Sequence, residues 1–507
     1  MIFLLNKERS FGRMNAMRYL LFLLACILPL HAAEVEARYT HGVFYPGINN
    51  QPVLQLKIWG EPGEKIKSVT FNTGESSRIA DMKIARVLTS RGWNGFTYNT
   101  NKLAEELSKT KPGKGNFTLK ADIEVGPEPV YLWLSYDLAA SIKRNAKVDA
   151  VCTAVEMADG SKVKPHVILA EGIEKRVIGR VYPFPYRVVP YYRPRWVKGW
   201  GNAEKAVHLT PAHFNLFTEL IHFAYTVTES GEVSYQWAGG GDSQQITDDA
   251  LAEIKRLRQE ARARSGLIAG FGHMDGPMTH AVANPATRRT LAHNMAQWAI
   301  TRGYSGIDID WEYPDSWEQW QNLGYFIADL REELSGSAIS VSIAASVTYK
   351  TPNYWTTDQL DFIMTMSYDD LGPQHASMQR FQGDAEKCRR DFHMPKAKIV
   401  VGLPFYSNQQ GTLTNQYGYS QILSWYPRLK ASENTFVSKN KDGSNGPMHS
   451  FNGADLIAAK CKWLKQENFG GVMIWAYDTD VPLKHKASLA RAMFKVLRQP
   501  KKKSKAK

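Results

Sequence analysis

A chain of 507 residues is too long for one ordinary domain and predicts two. Hydrophobic residues at 43% and charged residues at 22% form an ordinary soluble composition with enough apolar side chains for a large core. The formal charge of +14 includes five lysines in the solvated tail Lys501–Lys507. No basic module carries groups for reading or stacking bases, which excludes a nucleic-acid partner and leaves attraction to an anionic cell surface as the effect of net charge.

In chain order, residues 1–33 predict an export leader. Met17-Arg18 is a short basic start, Tyr19 to Leu30 is an apolar run too short to span a bilayer, and His31-Ala32-Ala33 offers small residues for cleavage. Translation starting at Met14 or Met17 fits this reading. Leu24-Ala25-Cys26 has the look of a lipid-attachment site, and the apolar residues beyond it favour simple cleavage and a secreted or periplasmic protein over an outer-membrane anchor. Nothing later predicts a transmembrane segment. Cys152, Cys388 and Cys461 are too widely spaced for a disulfide framework or a metal cluster and predict buried, inert thiols.

Residues 38–165 predict short strands in a β-sandwich. Val53 to Trp59 alternates apolar and polar; Val69 to Phe71, Lys83 to Val87 and Val130 to Tyr136 follow, with Lys147 to Val151 expected to pair near the last. Trp133 predicts a core residue. Residues 166–185 form a junction, and Val181 to Trp200 reads as a first barrel strand with its loop, or as a linker.

From there strand and helix alternate. Strands are predicted at 220–225, 266–272, 306–310, 339–345, 361–366, 398–405 and 471–475, with helices at 247–265, 285–302, 317–334 and 487–497. Seven such strands, with one more before residue 200, predict a closed (β/α)8 TIM barrel over residues 176–498. An open doubly wound sheet is the alternative; Gly239-Gly240-Gly241 lacks the residues of a phosphate loop and reads as a turn. The stretch between Tyr406 and Gly470 is either a helix with a loop or a small α+β insertion, with Gln409 to Pro427 and Asn434 to Pro447 read as extended loops. Residues 499–507 form a basic tail.

Asp308, Asp310 and Glu312 recur at a spacing of two along one predicted strand, so all three face the same way. Ile307 and Ile309 face the helix layer. This places the acids toward the barrel axis, with Glu312 at the carboxyl end where barrel enzymes build their sites. Crowded carboxylates raise one another's proton affinity, which suits Glu312 to act as an acid near neutral pH. A metal site would need further ligands from neighbouring strands, and no coherent set exists.

The segment Asp308-Ile309-Asp310-Trp311-Glu312-Tyr313-Pro314 resembles the signature of the family 18 glycoside hydrolases, the chitinase-like enzymes. Four more stretches resemble that family in order: Gly270-Phe271-Gly272, Met366-Ser367-Tyr368-Asp369, Gly402 to Tyr406, and Gly470 to Trp475. The likeness covers roughly residues 176 to 498. Two positions depart from the pattern: Ser305 stands in place of a first aspartate that tunes the acids, and His273 in place of a second glycine. In the amino-terminal region, Val53 to Leu56, Phe71 to Gly74, Tyr131 to Asp137 and Asn145 to Ala150 resemble a small β-sandwich module found before catalytic domains in secreted bacterial hydrolases.

The family resemblance implies a retaining, substrate-assisted cleavage beside N-acetylglucosamine, an exception to the two-carboxylate scheme. It implies that Glu312 is the acid and then the base, that Asp310 orients the substrate acetamide, that Asp308 modulates Asp310, and that Tyr368 donates to the acetamide oxygen. It places Trp475 as the floor of the sugar site, with Met366, Asp369, Tyr406, Tyr313 and Gly272 around it. No cofactor and no metal are expected, and a monomer is. The expected partner is an N-acetylglucosamine polysaccharide or oligosaccharide, with chitin first. An N-glycan core, peptidoglycan and a non-catalytic lectin are the alternatives; the retained Glu312 argues against the lectin.

Overall fold

The computed structural model describes residues 33–40, 43–90, 92–97, 104–194, 206–236, 242–272, 274–347 and 354–498. The expected leader (except Ala33), the tail 499–507, the turn Gly239–Gly241 and His273 lie outside them. Among the described residues, no helix is long and apolar enough to cross a membrane.

The described residues of the amino-terminal region form β-sheets, with one 3-10 turn at Ile79–Asp81. One sheet runs in the order His166–Ile168, Glu34–Tyr39, Gln51–Trp59, Val130–Leu138, Met82–Thr89, Glu105–Thr110. A second runs Lys162–Val163, Val151–Met157, Glu64–Asn72, Asn116–Val125. Leu54, Leu56, Leu132 and Leu134 of the first share one core with Ile66, Val69, Phe71 and Leu119 of the second. Period-two alternation builds this sandwich: along Asn116–Val125, Phe117, Leu119 and Ala121 are buried between exposed polar residues. Trp133 is buried, and its indole N–H donates to Ser90 Oγ at 3.1 Å.

The expected pairing of Lys147 to Val151 beside Val130–Tyr136 is not found. Lys147–Val148 pairs with Gly179–Val181, and Val151–Met157 pairs with Glu64–Asn72. Asp149 and Ala150 break the run: the Asp149 carboxylate is turned into an ion pair with Arg176.

Eight parallel strands follow: Arg187–Tyr192, Glu219–Val227, Gly266–Phe271, Gly306–Ile309, Ser340–Ala345, Phe362–Thr365, Ile399–Pro404 and Gly471–Trp475. The first pairs with both the eighth and the second, which closes the barrel. A (β/α)8 barrel preceded by a sandwich is therefore the fold. At Gly471 the first and eighth strands approach so closely that a Cβ would stand 2.1 Å from Arg187 O, so only glycine fits.

Alternation gives the barrel two cores. Ile307, Ile309 and Trp311 pack outward among the helices. Val189, Tyr191, Ile221, Phe223, Met364 and Met473 point inward and fill the axis. After the seventh strand comes an α+β insertion. It has a sheet ordered Tyr417–Gly418, Tyr406–Gln409, Asn445–Ser450, Thr435–Lys439, and a helix Tyr419–Trp425. The extended loops expected at 409–427 and 434–447 are thus partly a helix and a hairpin.

Sandwich and barrel are joined by directed hydrogen bonds. Tyr45 donates to Asp361 O at 3.0 Å, Thr97 to Asp358 Oδ2 at 2.7 Å, and Ser335 to Ile168 O at 2.8 Å.

Candidate active site

The fourth strand carries the acids as its alternation requires. Asp308 and Asp310 are buried on the inner side, and the Asp310 N–H donates to Phe271 O at 2.8 Å, extending the ladder past the strand. Glu312 follows at the carboxyl end and keeps a solvent-exposed surface, although protein atoms crowd its carboxyl.

The three acids differ in surroundings. Asp308 accepts hydrogen bonds from Tyr191 Oη at 2.6 Å and Ser342 Oγ at 2.6 Å. Burial pushes its pKa up to about 6, against the lowering effect of those two donors. Asp310 is pushed well above the ordinary carboxylate range by burial, then by repulsion from Glu312, Asp308 and Asp275. Its Oδ1 is buried with no protein hydrogen-bond partner. Burial also raises Glu312; a hydrogen bond with Tyr313 lowers it, and Asp275 and Asp369 add repulsion.

Tyr368, Met366, Tyr406, Tyr313 and Trp475 all belong to the inward cluster at this end. The Tyr368 hydroxyl donates to Met473 Sδ at 3.9 Å, a weak contact that leaves it available to a better acceptor. Asp369 takes a left-handed backbone conformation, φ 63°. Its Oδ1 accepts from Tyr406 Oη and from Asn408 Nδ2 at 2.6 Å, with His375 Nδ1 at 3.5 Å. Trp475 is held edge-on by Tyr191 and Phe223, each at 5.2 Å between ring centres, and the Arg193 guanidinium lies 5.3 Å from its ring. Gly272 contributes by lacking a side chain: a Cβ there would stand 2.3 Å from Phe223 Cζ and push that ring into Trp475.

The structure thus brings Asp308, Asp310, Glu312, Tyr368, Trp475, Met366, Asp369, Tyr406, Tyr313 and Gly272 together in one region of the barrel. It adds Tyr191, Ser342, Phe223, Asn408, His375 and Asp275. Tyr191 and Phe223 carried a signal, since each alternates with outward-facing neighbours in its strand. Ser342 carried none: its meaning depends on strand register. Ser305 lies at the amino end of the strand, where its hydroxyl accepts from Leu267 N at 2.7 Å and donates to Leu267 O at 3.1 Å. It seals a strand end and does not touch Asp308. Among the described residues, no group of three His, Cys, Asp or Glu side chains is arranged to hold a metal ion. Cys152, Cys388 and Cys461 are free and buried.

Residues 187–480 match the sequence family described as "Glycosyl hydrolases family 18". The chain belongs to that family. As a family 18 glycoside hydrolase it is similar to "Chitinase 1" of Aphanocladium album, 28% identical over 290 residues, 48% of this chain and 69% of that protein. It is also similar to "Probable endochitinase" of Caenorhabditis elegans, 24% identical over 392 residues, 63% of this chain and 61% of that protein. The family 18 barrel superposes on the Ostrinia furnacalis Group IV chitinase with a TM-score of 0.50 and 16% identity, over 62% of this chain and 100% of that one. That likeness is one of fold.

Proposed function

We propose that this hydrolase cleaves β-1,4 linkages of N-acetylglucosamine polymers, chitin or its oligosaccharides, with retention and with the substrate's acetamide as nucleophile. One observation carries the reading. Asp310 has a buried acceptor with no protein partner, beside an accessible Glu312 whose proton affinity is raised. A substrate N–H is the missing donor to Asp310, and a glycosidic oxygen is the natural base for the Glu312 proton.

In this mechanism Glu312 protonates the leaving oxygen as the acetamide oxygen attacks the anomeric carbon and the glycosidic bond breaks. Asp310 accepts the acetamide N–H and balances the positive charge of the cyclic intermediate. Tyr368 donates to the acetamide oxygen, and Asp308 holds Asp310 through charge. Water then opens the ring while Glu312 takes back its proton. Trp475 supports the sugar face, with Met366, Asp369, Tyr406 and Tyr313 shaping the surrounding wall. Residues 176–498 are the catalytic unit and 38–165 an accessory one, in a monomer that is exported to work on external polymer. The names borne by the similar proteins support chitin.

The test is turnover of soluble N-acetylglucosamine oligosaccharides by the purified protein, with a glycoprotein as comparison substrate. Glu312→Gln is expected to lower kcat by about a thousandfold while binding persists, the size of a lost general acid. Wild-type activity in that variant would remove Glu312 from its role. Oligosaccharide binding without cleavage by the wild type would make the protein a lectin.

A further inference from the structure

A groove of about 910 Å³ lies away from the carboxylates, between the sandwich and the outer face of the barrel. Its barrel wall is one face of the helix Trp317–Glu333, where Trp317, Gln321, Tyr325 and Glu332 recur at helical spacing and all line it. At ~1.5 Å per residue this stripe runs roughly 22 Å. Trp93 faces it from the sandwich. Trp355 stands between, edge-on to Trp317 at 5.8 Å and to Trp93 at 6.3 Å. Trp317 is 57% exposed, and Arg289 is exposed at the same end.

This combination selects a ligand class. Aromatic rings interleaved with a carboxamide and a guanidinium suit a ligand with apolar ring faces and hydroxyl edges. The length suits a repeating chain more than a compact metabolite. The two carboxylates in the groove are already engaged, Asp329 by Arg288 at 2.7 Å and Glu332 by Arg38 at 3.3 Å, while Lys57, which also lines it, holds its ammonium 5.5 Å from the Trp59 ring. The upper end, at Pro285 and Trp317, lies at the carboxyl ends of the barrel strands. A short loop there joins Trp317 to Glu312.

We propose that this groove binds a second stretch of β-linked N-acetylglucosamine chain and holds the enzyme on the polymer while the carboxylates act elsewhere on it. The proposal rests on the substrate class proposed above. It gives the sandwich a task, since Trp93 supplies one wall.

The test uses the full chain. Adsorption to insoluble chitin is measured on the Glu312→Gln protein with and without Trp317→Ala, and separately with Arg289→Ala; both side chains are exposed, so folding is retained. Trp317→Ala is expected to weaken adsorption about tenfold and Arg289→Ala to weaken it less. With Glu312 intact, Trp317→Ala should leave kcat/KM on a soluble trisaccharide unchanged. Unaltered adsorption in both variants overturns the groove, and so does an equal loss on trisaccharide and polymer, which would put Trp317 in the catalytic cleft. If the wild type cleaves no oligosaccharide yet Trp317→Ala still loses adsorption, the proposed reaction falls and the groove stands. If the wild type cleaves oligosaccharide and both variants adsorb as before, the reaction stands and the groove falls.

Discussion

Asp308 accepts two short hydrogen bonds and still has its pKa pushed up to about 6, because burial outweighs both. Tyr191→Phe removes one donor to the ionised form and keeps the ring that supports Trp475. A hydrogen bond to a charged group is worth about 1.5 kcal/mol, or roughly one pKa unit. The sign is upward, since the lost bond favoured the carboxylate. A pH–rate profile of Tyr191→Phe should therefore show its Asp308-dependent step moved about one unit to higher pH, with kcat down about tenfold. An unmoved profile would detach Asp308 from the chemistry. The Glu312 limb has its own sign. The proposed mechanism needs Glu312 protonated, so activity is expected to fall as pH rises through its raised pKa. The three acids were legible because a period of two needs only local sequence. The contacts that Tyr191 and Ser342 make with Asp308 were not, because those side chains come from strands 117 and 34 residues away in the chain.

Elements around the site are fastened by groups that titrate. Lys460, on the helix Ala454–Glu467, is buried and donates to Ala376 O at 2.8 Å and Asn452 Oδ1 at 2.6 Å. It thereby pins the loop that carries Asp369 and His375. Burial lowers its pKa to about 7, against 10.5 for the free side chain. The folded protein holds this proton less tightly than the unfolded chain, so stability rises as pH climbs from about 7 toward 10.5. The thermal stability of the wild type relative to Lys460→Met should grow over that window, by up to ~4 kcal/mol. Parallel behaviour of the two proteins would refute the coupling. The insertion beside this loop was legible only as one of two options. Asn445–Ser450 reads as turn residues, Asn, Gly, Pro, Met, His and Ser, and becomes a strand because it pairs with both Tyr406–Gln409 and Thr435–Lys439. Its core is the aromatic set Tyr417, Trp425, Phe436 and His449, of which the first three fall in the expected loops.

The whole molecule depends on how the sandwich meets the end of the barrel opposite the site. Arg187, the first residue of the first strand, is buried and ion-paired with Glu219, and its guanidinium stacks at 3.8 Å on Tyr182 and 4.2 Å on Phe362. Tyr45 of the sandwich closes this mouth: its hydroxyl accepts from Arg187 and donates to Asp361 O at 3.0 Å. In the sequence Tyr45 sits in Phe44-Tyr45-Pro46-Gly47, which reads as a turn; its partners are 142 and 316 residues away. Tyr45→Phe keeps the ring and removes the hydroxyl, so Asp361 O loses its donor and Arg187 an acceptor, at about 1–3 kcal/mol. Tyr45→Ala also opens a cavity under Tyr182, for about 3–5 kcal/mol in total. Because the plug fastens the sandwich to the barrel, calorimetry should show one transition in the wild type, lowered in Tyr45→Phe and lowered further in Tyr45→Ala. The kcat of Tyr45→Phe should be unchanged below its melting range, because the carboxylates to which the proposed mechanism assigns the chemistry lie toward the other end of the strands. Two independent transitions in the wild type, or a Tyr45→Ala protein that melts with the parent, would mean that the barrel closes its own base and that the sandwich is only tethered.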